Sequence, residues 1–484
     1  MCHLLMALAM MNATPNEQHR KALLDLTEIA KADPVAAQRT RYIDLTDVPE
    51  DSRSKMVRVV EFVVNSTSWR SSVGIPVALG GDLLRIRLDS FGWDKEFRRD
   101  RLESLARLGV RFADSNRLID IWEVFANGQP HFKAPQNYHG KYYRGWIDPQ
   151  HDCAARTLSG SASFIVRGAW LVPRIMLERE LGGFYSETLL LPDAESELYK
   201  LLSVDIGRFD KEDGFRRGLF LVNGTDSYVA LHNRELQLIK TPIGQETGFL
   251  WRTFDVADDS KSAKRVLNAL AGDLRLDGRE IIFSLPNGLH GYRLSNGKGD
   301  RVAEVPPNIA QDKRSRPVGE RRVLTAYKCV DCHGEQDGLL SGGDQARKLL
   351  VGDSALGFVV KNYDSYQAER RKREVEEYYL NPLEPVMVQQ RESYAKHLKE
   401  VNGLSGAENA ANLVSAVEHY LYSPVDLAQA ERETGIEHRC LEAFLASVQG
   451  ESSVLSRGNA IPRPAFDDIF DDVMLGVRYP WDHQ

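Results

Sequence analysis

Apolar positions recur at helical spacing from the first ordered-looking segment onward. Leu23, Leu24, Leu26, Ile29 and Ala30 form one stripe, which Pro34 should end. Val57, Val60, Phe62, Val63 and Val64 form a second that reaches Trp69. Strand-like pieces such as residues 82–88 interrupt a region that otherwise reads as helical to about residue 193, including a helix over 96–108, and a short helical stretch near 194–202 follows it. The period then changes. Apolar runs at 219–222, 228–231, 236–239, 280–285, 289–294 and 301–305 are punctuated by Asn223-Gly224, Pro286-Asn287-Gly288 and Asn296-Gly297-Lys298-Gly299. Turns of this kind between apolar runs signal hairpins, so an antiparallel β unit is expected between about 203 and 306. Pro306-Pro307 and the charged residues 311–322 read as a linker. Helical spacing returns over 323–332, 355–379, 386–401 and 409–421, before a proline-containing tail from Gly458.

The pattern predicts an α+β multidomain chain. Residues 17–202 form an α-rich N-terminal region, 203–315 a β-rich unit with linker, and 316–484 an all-α C-terminal region with a tail. At 484 residues the chain is too long for one compact domain. Its composition, 42% hydrophobic and 27% charged with net charge -7, is that of a globular protein without the basic footprint of a nucleic-acid binder. No apolar run approaches the roughly 18–20 residues of a membrane span, so no transmembrane segment is expected. Residues 1–16 are ambiguous. The apolar run 4–11 and the small residues Ala7 and Ala9 look like a secretory signal, but no positive residues precede them. A truncated signal segment and a frayed apolar end both remain open on these residues alone.

The strongest chemical signal is Tyr327-Lys328-Cys329-Val330-Asp331-Cys332-His333-Gly334. Cys-x-x-Cys can hold zinc, form a redox dithiol or anchor a haem. Structural zinc wants four ligands, but Cys2, Cys153 and Cys440 form no second pair and no His-x3-5-His follows. A thioredoxin-like motif should open a helix after a βαβ strand, whereas this one ends a helix-like stretch. Cys-x-x-Cys-His is the c-type haem pattern. Cys329 and Cys332 would bond the two vinyl groups as thioethers, and His333 would bring its imidazole beneath the iron as proximal ligand. Zinc and the dithiol stay as runners-up.

Residues 327–449 resemble a cytochrome c domain: a short helix into the motif, a glycine-rich loop (Gly338, Gly342, Gly343), then helices. The larger chain is similar to bacterial exported proteins in which one such domain follows a long N-terminal region. The stretches that carry this likeness include Arg41-Tyr42-Ile43-Asp44-Leu45, Asn65-Ser66-Thr67-Ser68-Trp69-Arg70, Leu83-Leu84-Arg85-Ile86, Phe91-Gly92-Trp93-Asp94, Thr241-Pro242-Ile243-Gly244 and Phe283-Ser284-Leu285-Pro286-Asn287-Gly288-Leu289. It implies one covalent haem c, electron transfer between unidentified redox donor and acceptor proteins, and a periplasmic or otherwise exported location. Export in turn favours the truncated-signal reading of residues 1–16. No proline occurs between His333 and Pro382, so the acceptor for the proximal histidine's second N–H must be another group. Met387 is a candidate distal ligand, although it shares a helical face with Tyr394, Leu398 and Val401 and reads equally as core. His397, His419, His438 and Met474 are further candidates, and His232 and His290 could approach from the β unit. With an open sixth position the protein would instead be a haem-based catalyst or small-ligand sensor. A third reading is an exported binding protein with an appended haem relay.

Other chemistry is thin. There is no phosphate loop, dinucleotide fingerprint, nucleophile elbow or His-Glu-x-x-His. The His151-Asp152-Cys153 run and a Cys153–Cys440 bridge have no support beyond composition. The tryptophans and tyrosines of the N-terminal region read first as core anchors and only second as a ligand pocket.

Overall fold

The computed structural model describes residues 17–80, 82–112, 115–128, 157–161, 164–206, 215–220, 234–243, 248–255, 277–314, 317–334, 338–339, 383–434, 436–447 and 451–478. Residues 1–16, 228–231 and 355–379, together with Cys2, His151, Cys153, His232, Gly342 and Gly343, lie outside them.

The N-terminal region is more than helices. α1 (Glu17–Ala32) is followed by a short helix, Pro34–Gln38. Pro34 therefore starts a helix as well as ending one. Asp33 caps it by accepting from the Val35 and Ala36 N–H groups, and a proline at the first turn leaves no intrahelical bond unmade. Next come β1 (Thr40–Asp44), α2 (Arg53–Ser66), β2 (Val77–Ala78), β3 (Leu83–Arg87), α3 (Lys95–Arg107), β4 (Ile165–Arg167) and α4 (Gly168–Met176). The four strands form one mixed sheet in the order β2-β3-β1-β4, with β1 antiparallel to β3 and parallel to β4. β1 is buried along its whole length, so its sequence shows no in–out alternation.

The expected antiparallel unit is a six-stranded sheet: β5 (Phe215–Phe220), β6 (Arg234–Lys240), β7 (Phe249–Phe254), β8 (Gly278–Ser284), β9 (His290–Asn296) and β10 (Arg301–Val302), each paired with its neighbour in sequence. Register fixes its two faces, because residues directly opposite each other project to the same side. Glu280 pairs with Leu294, Ile282 with Tyr292, Ser284 with His290, and Trp251 with Ile282. Glu280, Ile282, Trp251, His290 and Tyr292 therefore share one face. Phe283 lies on the other, where it stacks on Trp69 at 6.2 Å. The β8–β9 turn is tied to α2 as well: the Asn287 amide donates to the Asn65 carbonyl at 2.8 Å.

β11 (Glu304–Val305) and β12 (Val323–Leu324) form a two-stranded ladder before α5 (Tyr327–Gly334). Residues 323–332 are thus not one helix, as their spacing suggested. The chain runs in as a strand and turns at Ala326 (φ 60°) before the helix begins. α6 (Glu384–Asn402) and α7 (Gly406–Tyr422) follow, the latter opened by a capping box between Ser405 and Glu408. α8 (Leu427–Thr434), α9 (His438–Ser447), α10 (Glu451–Ser456) and α11 (Arg463–Arg478) end the described chain, so the tail after Gly458 contains a helix.

One apolar core runs from Ile43 to Tyr420 and includes residues of both N-terminal and sheet regions, of α5, and of α6 and α7. It crosses both boundaries expected at 202/203 and 315/316. A second, smaller core holds Val425 to Val473. Among the described residues no helix is long and apolar enough to cross a membrane.

Candidate haem site

α5 carries the motif, and helical periodicity sorts its side chains. At 100° per residue, Cys329, Cys332 and His333 share one face while Asp331 points away from it. The face with the three donors is turned into the protein: Cys329 is 2% exposed, Cys332 9% and His333 2%. The helix is pressed against α7 through a small residue. A Cβ on Gly334 would stand 2.6 Å from Ala410 Cβ and 2.9 Å from the Gly406 carbonyl oxygen.

His333 is fixed at both ring nitrogens. Nδ1 donates to the Gly338 carbonyl at 2.8 Å, and the Gly338 N–H donates back to the His333 carbonyl at 2.8 Å. This reciprocal clasp supplies the acceptor that the missing proline left open. Gly338 has φ +123°, a conformation that L side chains rarely adopt. Nε2 faces Glu280 Oε1 on β8 at 3.2 Å. The imidazole edge packs on Trp251 with ring centroids 5.7 Å apart, and Tyr292 lies 6.3 Å away. The sheet face is therefore one wall of the site.

Burial raises Cys329 well above the ordinary thiol range, with Glu280 adding to the shift. Burial likewise pushes Cys332 up to about 12, against the Arg314 guanidinium, which donates to Cys332 Sγ at 2.8 Å. Thiols held protonated make poor nucleophiles and a poor redox dithiol. Glu280 is opposed by its burial, but His333 and Arg234 outweigh that and hold its carboxyl below the ordinary range. Arg234 stands 3.6 Å from Glu280 Oε2 and 2.6 Å from Asp255 Oδ1.

An ionic network locks the preceding linker onto the motif helix. Lys328 Nζ lies 3.0 Å from Asp312 Oδ2, with both side chains fully buried. Arg314 bridges Asp312 at 3.1 Å and Asp331 at 2.9 Å. On this outer side of α5 a cleft of about 530 Å³ is lined by Asp331, Ala407, Ala410, Glu418 and His419 among others. It lies behind the helix, off the face that bears the two sulfurs and the imidazole.

The other sequence candidates fall in different places. Met387 is fully buried in the main core, on the face of α6 that also buries Tyr394, Leu398 and Val401. α6 meets the segment behind the His333 ring: Arg391 donates to the Leu339 carbonyl at 3.1 Å, and Tyr394 lies 3.4 Å from a Cβ built on Gly338. His397 donates from Nδ1 to the Ser393 carbonyl at 2.7 Å and packs against Gly288. His290 stacks on Tyr394 with centroids 3.9 Å apart. His419 lines the outer cleft, and half-exposed His438 pairs with Glu431 in the smaller core's helices. Met474 lies in α11. No family model, curated protein or solved structure matches the chain.

By type the donors match those of a covalently held haem, although Glu280, Trp251 and Tyr292 close on the imidazole where a porphyrin would need room. Two neutral, buried thiols and a histidine share one helical face. Nδ1 is committed to a carbonyl, so Nε2 is the nitrogen left to bind iron. Nε2 in turn is paired with Glu280 Oε1 at 3.2 Å. Sequence reading gave no hint of Glu280, because only the sheet register brings residue 280 to residue 333.

Proposed function

We propose that this chain is a c-type cytochrome that carries one haem bound through Cys329 and Cys332, with His333 as proximal ligand. It would work outside the cytoplasm, passing electrons between partner proteins. The observation that carries the reading is the orientation of His333, held through Nδ1 by Gly338 on the same helical face as both cysteines. Bound there, the haem would supply one-electron chemistry, its iron alternating between ferric and ferrous. The chain's own residues do the rest. Trp251 and Tyr292 keep water from the imidazole. The Lys328–Asp312–Arg314 network ties the linker to the motif helix and so helps to hold His333 in place.

The test is a pyridine haemochrome spectrum and haem stain on denatured protein, expressed with an export signal in a host that has the c-type maturation system. Haem should stay with the wild-type chain and be lost or altered in Cys329→Ala and Cys332→Ala. A wild-type chain without haem, above all one that carries zinc instead, would overturn the proposal.

A further inference from the structure

We infer that the cleft behind α5 is a binding site for a small organic ammonium ion, with Glu418 as its counter-ion and Tyr422 against its charged head. The inference goes beyond the cytochrome reading and does not depend on it. The cleft lies off the face of α5 that bears the cysteines and the imidazole.

The shape of the site follows from how α7 is written. Ala407, Ala411, Val414, Glu418 and Tyr422 succeed one another at the spacing of one helical stripe, and all five line the cleft. The stripe starts small and ends large. Alanines at its N-terminal end leave space that longer side chains would fill. The resulting volume, about 530 Å³, is that of a small-molecule site.

Charge decides the kind of ligand. Of the two carboxylates in the lining, Asp331 is already met by Arg314 at 2.9 Å. Glu418 is not. Among the described residues its partner is the Tyr327 hydroxyl, 3.4 Å from Oε1, and no cation pairs with it. Glu418 also stands near the C-terminal end of α7, where the helix dipole disfavours a negative side chain. The carbonyls of the last turn add to the same negative end. A carboxylate set against the dipole without a counter-ion makes this end of the cleft attractive to positive charge. Tyr422 borders it with 54% of its surface exposed, and a phenol face beside a carboxylate is a good seat for an ammonium group. Ala407, Ala411 and Val414 would cover the apolar remainder of the molecule. A bare metal ion fits less well, because the described residues gather no group of three metal-ligating side chains here.

The test is isothermal titration calorimetry of the full chain with 2-phenylethylammonium chloride as probe. Beside it run 2-phenylethanol and phenylacetate, whose aromatic bodies are similar but whose polar ends are neutral and anionic. Wild type should bind the ammonium at one saturable site and the alcohol about tenfold more weakly, the worth of one charge-assisted contact. Phenylacetate should not bind. Glu418→Gln should bring the ammonium down to the alcohol's affinity, and continued binding of the alcohol by that variant shows that the cleft itself is intact. Tyr422→Leu should weaken the ammonium severalfold. Ala411→Leu, at an exposed helical position, fills the apolar floor and should abolish binding of both. Three results would each overturn the inference: no saturable binding by wild type, equal affinity for ammonium and alcohol, or full ammonium affinity in either Glu418→Gln or Ala411→Leu.

Discussion

Asp47 lies 2% exposed, its Oδ2 accepting from the Ala169 N–H at 3.2 Å. Burial, reinforced by Glu433 and Asp44 and opposed by Arg167, lifts its carboxyl from 3.8 to about 8. The folded protein therefore holds a proton that the unfolded chain releases as pH climbs past 3.8. The stability this proton contributes is complete below 3.8, falls as pH rises and is gone above about 8. Asp47→Asn, which keeps an acceptor for Ala169 but cannot ionise, should match wild type near the low end and gain on it steadily up to pH 8. Urea midpoints of both proteins across that range measure the difference. At this scale the sequence pointed to Cys329, Cys332 and His333, and what the structure adds is that the three share one buried helical face. Gly338 appeared only as one glycine of a loop, because its use depends on a backbone angle and not on a side chain. Glu280 could not be read at all: its meeting with His333 spans 53 residues and arises from strand pairing.

Gly334 shows what elements demand of each other. α5 and α7 approach so closely that a methyl group would press on Ala410 and on the Gly406 carbonyl. Gly334→Ala should cost about 1–3 kcal/mol by overpacking, visible as a lower urea midpoint with an unchanged m-value. Among elements, the β8–β9 hairpin and helices α2, α6 and α7 were legible from apolar spacing and Asn-Gly turns. β7 was not: Phe249-Leu250-Trp251-Arg252-Thr253-Phe254 has neither alternation nor an Asn-Gly turn beside it. β1 and β4 were hidden for a related reason, since strands buried throughout resemble short pieces of core helix. β12 was absorbed into the helix that follows it.

The whole molecule is joined at two levels. The large core binds both sheets and the motif helix into one body, while the smaller core is attached through charge. Glu433, 1% exposed, sits between Arg167 at 2.6 Å and Arg463 at 2.6 Å. Arg463 also lies over the Tyr420 ring at 4.6 Å. Arg463→Met leaves Glu433 with one cation in place of two and should cost about 3 kcal/mol. The loss should fall first on the helices after residue 424, and limited proteolysis should cut there before anywhere in the main body. The continuous core was not legible, because periodicity describes each segment's own face and not what covers it. Its tight closure over Cys329 and Cys332 sets an order of events. Neither sulfur can be reached easily once α5 has docked between the sheet and α7, so any chemistry at them belongs before that docking. A chain that folds with both sulfurs unmodified keeps them sealed, so a thiol reagent should label Cys329 and Cys332 of such protein only after unfolding.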